Sequence, residues 1–291
     1  MKYAYLPGCL LKNTGKAYEE SFLAVFRALG LEVRELEDWN CCGATAYLSM
    51  NEMKAFALAA RNLALAERQD GELLAPCSGC YLVLRRTQNM IGEYQKIREI
   101  VLHSLKSAGL SYQGKVNVRH PLDILVNDIG LDVIAQKVKN PLIGIKVAPY
   151  YGCLIVRPYR SFDHPVYPET MDLLLETLGA TVVPYSLKTR CCGGSLSGTL
   201  HETGLRLVST LLKEAQKCGA DLISTVCPLC HFNLDSYQGE ITKLYGKVNI
   251  PSVFFTQLLG IALGIPKKEI GLNRNIVSVE DILRQRRLVY V

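Results

Sequence analysis

Ten of the eleven cysteines fall into two copies of one spacing, and nothing else restricts the fold of this 291-residue chain as tightly. A single cysteine (Cys9; Cys153) is followed by a contiguous pair (Cys41 and Cys42; Cys191 and Cys192), then by C-x-x-C (Cys77 and Cys80; Cys227 and Cys230). Thirty-four residues separate the pair from the C-x-x-C in both copies, whereas the gap before the pair is 31 residues in the first and 37 in the second. The copies differ by an insertion while the rest of the register holds. The chain reads as two metal-binding halves.

Short β-prone segments run straight into these cysteines. KYAYLP (2–7) leads to Gly8 and Cys9, LEVRELED (31–38) to the CCG at Cys41, and GELLAP (71–76) to Cys77. Between them, AYEESFLAVFRALG repeats apolar residues at Phe22, Val25, Phe26 and Leu29 and closes at Gly30, a helical pattern with its stop signal. A second helix is expected over 50–69 and a third over 80–109. The second half repeats the order: a strand in GIKVAPYYGC, a helix near PETMDLLLETLG, a strand in ATVVPYS, a helix over 201–219, a strand in ADLISTVC and a helix from Cys230.

The expected fold class is therefore α/β, with two pseudo-repeated halves, each a small parallel βαβ-type sheet flanked by helices. All ten cysteines then sit at the carboxyl ends of strands, where open α/β sheets place their functional crevice. Helices that start just after each cysteine group aim backbone N–H groups at an anionic ligand. The expected divisions are 1–140, with a connector at its end, 141–265, and a basic extension at 266–291 that carries six Lys/Arg against three Asp/Glu and no cysteine.

A net charge of +6 without a long basic run falls short of a nucleic-acid footprint. The apolar stretch from Phe254 to Ile265 is shorter than the roughly 20 residues of a spanning helix, so a buried helix is expected rather than a transmembrane segment. The N-terminal apolar stretch is too short for a secretory signal. Many cysteines without an export signal point to reduced thiolates and a cytoplasmic location.

A structural zinc takes four ligands, commonly from two C-x-x-C knuckles. Each half here offers one C-x-x-C, a contiguous pair and a fifth cysteine, which exceeds one zinc. All-thiolate ligation suits iron–sulfur chemistry better, although the ferredoxin run C-x2-C-x2-C-x3-C-P is absent. Five ligands also exceed the four of a cubane, so either one cysteine per half is spare or the cluster is not a cubane. Spacing leaves that choice open.

The pattern C-x31-CC-x34-C-x-x-C, repeated as C-x37-CC-x34-C-x-x-C with a Gly after each pair, resembles that of the cysteine-rich CCG domain. The tandem, over about residues 1–265, is similar to the B subunit of heterodisulfide reductase, with KYAYLPGC and YYGCLIVRP alike as well. The resemblance implies one noncubane 4Fe-4S cluster per half, held by Cys9, Cys41, Cys42, Cys77 and Cys80 in one and by Cys153, Cys191, Cys192, Cys227 and Cys230 in the other. It further implies reductive cleavage, between the clusters, of the disulfide of coenzyme M and coenzyme B or a related small anionic disulfide. Each sulfur would be taken up by a cluster iron. Electrons would come from two partners in the same complex, a ferredoxin-like iron–sulfur subunit and a flavoprotein subunit, because this chain has no nucleotide fingerprint after a strand.

Two other functions remain: a CCG-domain electron-transfer component of a lactate or glycolate oxidation complex, and a zinc-tied structural or interaction module. Arg157, Arg160, Lys188 and Arg190 flank the second-half cysteines and are candidate contacts for substrate anions. His201 and His231 are candidate proton donors to a departing thiolate, weighed against histidines hydrogen-bonded within the fold. His120-Pro121 and His164-Pro165 read as turn chemistry, and Cys218 as a packed thiol outside both registers.

Overall fold

Short extended segments before each cysteine group pair into strands, and the amphipathic runs between them cross over as helices. The computed structural model describes residues 2–69, 72–159, 162–286 and 288. The first half runs β1 (Lys2–Tyr5), α1 (Gly8–Leu11), α2 (Lys16–Ala28), β2 (Glu32–Glu35), α3 (Ala46–Met50), α4 (Glu52–Glu67), β3 (Glu72–Leu74), α5 (Ser78–Glu93), α6 (Gln95–Ser107) and β4 (Val118–Arg119). The connector forms α7 (Pro121–Asp123), a π-helical turn (Ile124–Ile129) and α8 (Leu131–Lys137). The second half runs β5 (Lys146–Tyr150), α9 (Thr170–Thr177), β6 (Thr181–Val182), α10 (Leu196–Thr199), α11 (His201–Lys217), β7 (Leu222–Thr225), α12 (Pro228–Ser236), α13 (Gln238–Tyr245), β8 (Ser252–Phe254) and α14 (Phe255–Ala262), followed by α15 (Glu280–Gln285).

The strands form two four-stranded sheets, ordered β2-β1-β3-β4 and β6-β5-β7-β8. Every pairing is parallel, as the alternating strand–helix pattern predicts. The fourth strand of each sheet is a correction to the sequence reading. β4 pairs only Val118 with Leu73 and Arg119 with Leu74, inside the segment taken as connector. β8 pairs Ser252 with Ile223 and Phe254 with Thr225, just ahead of the expected buried helix. The helical run at 50–69 also divides, because Asn51 is extended and its side chain caps α4 by accepting the Lys54 N–H at 3.0 Å. The run at 80–109 breaks at an extended Tyr94.

The two sheets share one interior, and the second half keeps a further core of its own around Tyr150, Val208, Leu212 and Ile223. One hydrophobic cluster takes residues from both halves, including Phe22, Phe26, Leu63 and Leu84 from the first and Leu174, Phe254, Phe255 and Leu258 from the second. Its seam is reciprocal. α14, which follows the fourth strand of the second sheet, packs on α2, while α7, which follows the fourth strand of the first, packs on α9. Tyr18 stacks on Phe254 at 4.5 Å, and the Ser21 and Thr256 hydroxyls meet at 2.6 Å. The segment after 265 crosses this seam. Ile270, Leu272, Val279 and Leu283 are buried, Arg274 forks onto Glu20 at 2.7 Å, and Gln257 donates to the carbonyls of Ile270 and Gly271.

Beneath the turn that carries Cys9, Glu19 has a side chain only 4% exposed and contacts Lys12 at 2.6 Å and Lys16 at 2.9 Å. Tyr5 donates its hydroxyl to the same carboxylate. Burial pushes the Glu19 carboxyl up, but its hydrogen bonds and attraction to Lys12 and Lys16 outweigh that and hold it below the usual range. A depressed folded value stabilises above the unfolded value near 4.3 and loses that contribution as pH falls through the folded value. Glu19→Gln is therefore expected to lower stability at neutral pH and to flatten the acid limb of a stability–pH curve, checked by urea unfolding between pH 7 and pH 3.

Among the described residues the fully buried hydroxyl of Tyr18 meets no hydrogen-bond partner. Tyr18→Phe keeps the stack and removes the orphan, and is expected to leave stability unchanged or raise it by about 1 kcal/mol. Tyr18→Ala opens the seam and is expected to cost about 3–5 kcal/mol. A loss of more than about 1 kcal/mol in Tyr18→Phe would mean that the hydroxyl does have a partner in solution.

Candidate metal centre

The residues at the strand ends assemble in the same way in both halves. Cys9 and Cys153 lie just past β1 and β5, behind glycines in the left-handed region: Gly8 at φ +66° and Gly152 at +68°. A Cβ on Gly8 would come within 2.9 Å of Cys80 Sγ, and one on Gly152 within 3.1 Å of Cys230 Sγ. These glycines form cradles that let each single cysteine approach the C-x-x-C of its own half. Cys77 and Cys227 are the N-cap residues of α5 and α12, and Cys80 and Cys230 lie in the first turns. Cys227 lies at a helix start, where the backbone N–H groups of Leu229 and Cys230 favour its thiolate.

The contiguous pairs need their glycine for two reasons. Gly43 at φ +80° and Gly193 at φ +94° turn the chain just after each pair, whose second member is buried and whose first is exposed. Each also presses on the following helix: added Cβ atoms would meet Ala55 Cα at 3.3 Å and Gly204 Cα at 3.4 Å. The turn points backbone donors at the sulfurs. Gly193 N–H reaches Cys191 Sγ at 3.3 Å and Gly194 N–H reaches Cys192 Sγ at 3.4 Å. Gly43 and Ala44 do the same for Cys41 and Cys42.

All eleven cysteines are free thiols. Cys9 contacts Cys41, Cys41 contacts Cys42, Cys42 contacts Cys80, and Cys80 contacts Cys77. In the second half Cys153 contacts Cys191, Cys192 lies 3.5 Å from Cys230, and Cys230 contacts Cys227. The two sets join where Cys77 meets Cys227 across the seam. Each set divides its protons unevenly. Cys41 is pulled down to about 2 by the Cys42 and Cys9 thiols and the Gly43 N–H, while Cys9 is pushed up by Cys41 and by burial. Cys191 is pulled down to about 6 by Cys153, with the Gly193 N–H and the Arg157 charge adding to it, and Cys153 is pushed up.

Against the second set lies a cavity of about 190 Å³. Cys153, Cys191, Cys192, Cys227 and Cys230 all line it, with Tyr151 and Leu154, and the first half contributes Thr45 and Ser78. Thr45 is β-branched yet sits at φ +65°, a strained backbone at the cavity rim. The Ser78 hydroxyl is buried without a partner.

Among the described residues no group of three or more His, Cys, Asp or Glu side chains has the geometry of a metal ion's ligands. The thiols instead close on one another. Their chemistry fits an iron–sulfur group: five thiols per half, backbone N–H donors on the sulfurs, and glycine cradles that bring them together.

The basic candidates are dispersed. Lys188 is paired with Asp172 at 2.8 Å and lies over the Tyr151 ring. Arg157 donates to the Thr189 carbonyl at 2.6 Å, and Arg190 is exposed beside Cys191. Arg160 lies outside the described residues. The histidines are internal partners. His231 stacks on Phe254 with Nε2 2.9 Å from the Ser252 carbonyl, and His201 bridges Ser197 and Glu240. His120 and His164 accept backbone N–H groups within two or three residues, as turn chemistry predicts. Cys218 is half-buried with its thiol 3.4 Å from the Pro184 carbonyl.

The residue missed in the sequence is Asn233, three positions after Cys230 and 1% exposed. Its amide nitrogen reaches the Gly194 carbonyl at 3.0 Å and the Cys192 carbonyl and Sγ at 3.4 and 3.5 Å, and its oxygen meets the Ser197 hydroxyl at 3.1 Å. A polar residue one helical turn after the C-x-x-C was its only signal in the sequence.

Fold and site together define a tandem α/β protein with a five-thiol group at the end of each parallel sheet. The sequence matches the model of the CCG cysteine-rich domain twice, over residues 3–85 and 147–235, and the chain belongs to that family. It is 34% identical to the membrane anchor of the 8-methylmenaquinol:fumarate reductase of Wolinella succinogenes, over 97% of this chain and 99% of that one. It is 31% identical to a protein of Archaeoglobus profundus described as like the B subunit of heterodisulfide reductase, over 94% of each chain. With the B subunit of the ferredoxin:CoB-CoM heterodisulfide reductase of Methanosarcina mazei it shares 29% identity, over 97% of this chain and 96% of that one. The crystal structure of a hypothetical protein from Helicobacter pylori has the same fold, with a TM-score of 0.79 at 16% identity over 96% of this chain. This chain spans about half of it, 52% of its length.

Gly43→Ala and Gly193→Ala each force an L side chain into the left-handed region against a helix backbone. Each is expected to cost about 1–2 kcal/mol in thermal unfolding. Gly30→Ala, at φ +80° with nothing within 4 Å, separates the two causes and is expected to cost less.

Proposed function

We propose that this chain is the iron–sulfur component of an oxidoreductase complex, that it holds one 4Fe-4S cluster per half on the ten repeated cysteines, and that it reductively cleaves a small disulfide. The observation that carries this reading is the meeting of the two five-thiol groups across the seam, Cys77 against Cys227, which would set two redox groups side by side. The relatives named for the B subunit of heterodisulfide reductase support the same chemistry.

When bound, the clusters would supply one-electron redox chemistry next to the cavity. The chain's own residues give that site its form. The glycine cradles and backbone donors orient the thiolates, while Tyr151 and Leu154 give the cavity apolar wall. Neighbouring thiols favour ionisation at some positions and oppose it at others, so full deprotonation of all five in each half calls for a cationic group beside them. The electrons belong to partners in the complex, a ferredoxin-like iron–sulfur protein and a flavoprotein. The same reading makes the complex cytoplasmic.

A second reading has its own support in the likeness to the membrane anchor of a fumarate reductase. On it the chain passes electrons from a quinol within a membrane-attached complex. Among the described residues no helix is long and apolar enough to cross a membrane, so attachment would run through the surface or a partner.

Protein purified without oxygen is expected to be brown, to contain about eight irons per chain and to reduce a small disulfide with a viologen donor. Cys77→Ser is expected to lower the iron content by about half and to abolish turnover. Zinc in place of iron would return the chain to a structural role. Iron without disulfide turnover, together with oxidation of a menaquinol by the complex, would favour the second reading.

A further inference from the structure

The two thiol sets look alike in sequence register but are held by different residues. In the second half, the CCG turn is fixed by Asn233 from the first turns of α12, and the Asn233 amide also lies 3.5 Å from Cys192 Sγ. The amide cannot swing away freely, because Ser197 holds its oxygen at 3.1 Å and the side chain is 1% exposed. At the same position relative to the C-x-x-C, three residues after Cys80, the first half has Val83. Val83 is buried and carries no polar atom.

The first CCG turn is fixed from its outer side instead. Asn62 on α4 accepts the Asn40 N–H at 3.0 Å and donates to the Asn40 carbonyl at 2.8 Å. The Asn40 amide donates to the Cys41 and Leu58 carbonyls, and Arg61 donates to Asn40 Oδ1 at 3.0 Å. These bonds fix backbone, whereas Asn233 also reaches a sulfur.

An N–H donor on a cluster sulfur favours the more negative, reduced state, and buried donors are among the main determinants of cluster potential. Arg157, whose charge acts on Cys191, works in the same direction. We propose that Asn233 is a positioning residue that sets the second site at a higher reduction potential than the first. This rests on the iron–sulfur reading above, but not on the disulfide assignment. It makes the half beside the cavity the one that retains an electron more readily.

The test is a potentiometric titration of the iron-loaded protein followed by EPR, with iron per chain measured on the same samples. Asn233→Asp keeps the acceptor for Ser197 and removes the amide donor, and Asn233→Val copies the first half. Both are expected to lower the reduction equilibrium of one cluster about threefold or more, about 30 mV for one electron, and to leave the other unchanged. Val83→Asn is expected to raise the other cluster only. Ser197→Ala, which frees the amide without removing it, is expected to shift the same cluster as Asn233→Asp, by less. Iron-loaded variants with both potentials unchanged, or with equal shifts in both, would overturn the inference and leave the iron–sulfur reading standing. A wild-type sample without iron would remove both.

Discussion

Ten thiols in contact with one another cannot all carry charge, and the organisation of the site follows from that. Ionisation is favoured unevenly: Cys41 is pulled down in the first set and Cys191, Cys192 and Cys227 in the second, while Cys9 and Cys153 are pushed up. Backbone N–H groups from the CCG turns and from the start of α12 favour some of the thiolates but are dipoles rather than charges. The glycines before and after the cysteines make this crowding geometrically possible, because side chains at Gly8, Gly152, Gly43 or Gly193 would occupy the space the sulfurs and the following helix need.

Much of this was legible in the sequence because cysteine spacing and strand–helix alternation are local patterns that survive folding unchanged. The parallel order and the placement of all ten cysteines at one end of the sheets follow from those patterns. What was hidden depended on non-local pairing. β4 is two residues of ladder, Val118 and Arg119, too short to produce alternation. β8 lies against an apolar helix without a break between them. The helix breaks at Asn51 and Tyr94 fall inside runs whose composition stays helical on both sides.

The site was legible to a different degree. Cysteine spacing foretells which thiols gather at the strand ends, whereas the surroundings of a charged side chain such as Lys188, paired with Asp172, depend on contacts the sequence does not display. Asn233 was missed for the converse reason. A single polar residue on an otherwise buried helix turn gains its meaning only from Cys192 and Gly194, roughly forty positions earlier in the chain. Repeat symmetry also misleads here, since the register equates Asn233 with Val83 while their chemistry differs.

The reciprocal seam, α14 on α2 and α7 on α9, means that each half covers the open face of the other through equivalent elements. A chain with a single such repeat would expose that face and bury it only by pairing with a copy of itself about a two-fold axis. Joining the copies through the α8 connector removes the need for identical partners. Once the two sites are encoded separately, a substitution in one no longer alters the other, and duplication becomes the route by which a symmetric pair of thiol groups acquires two distinct ends.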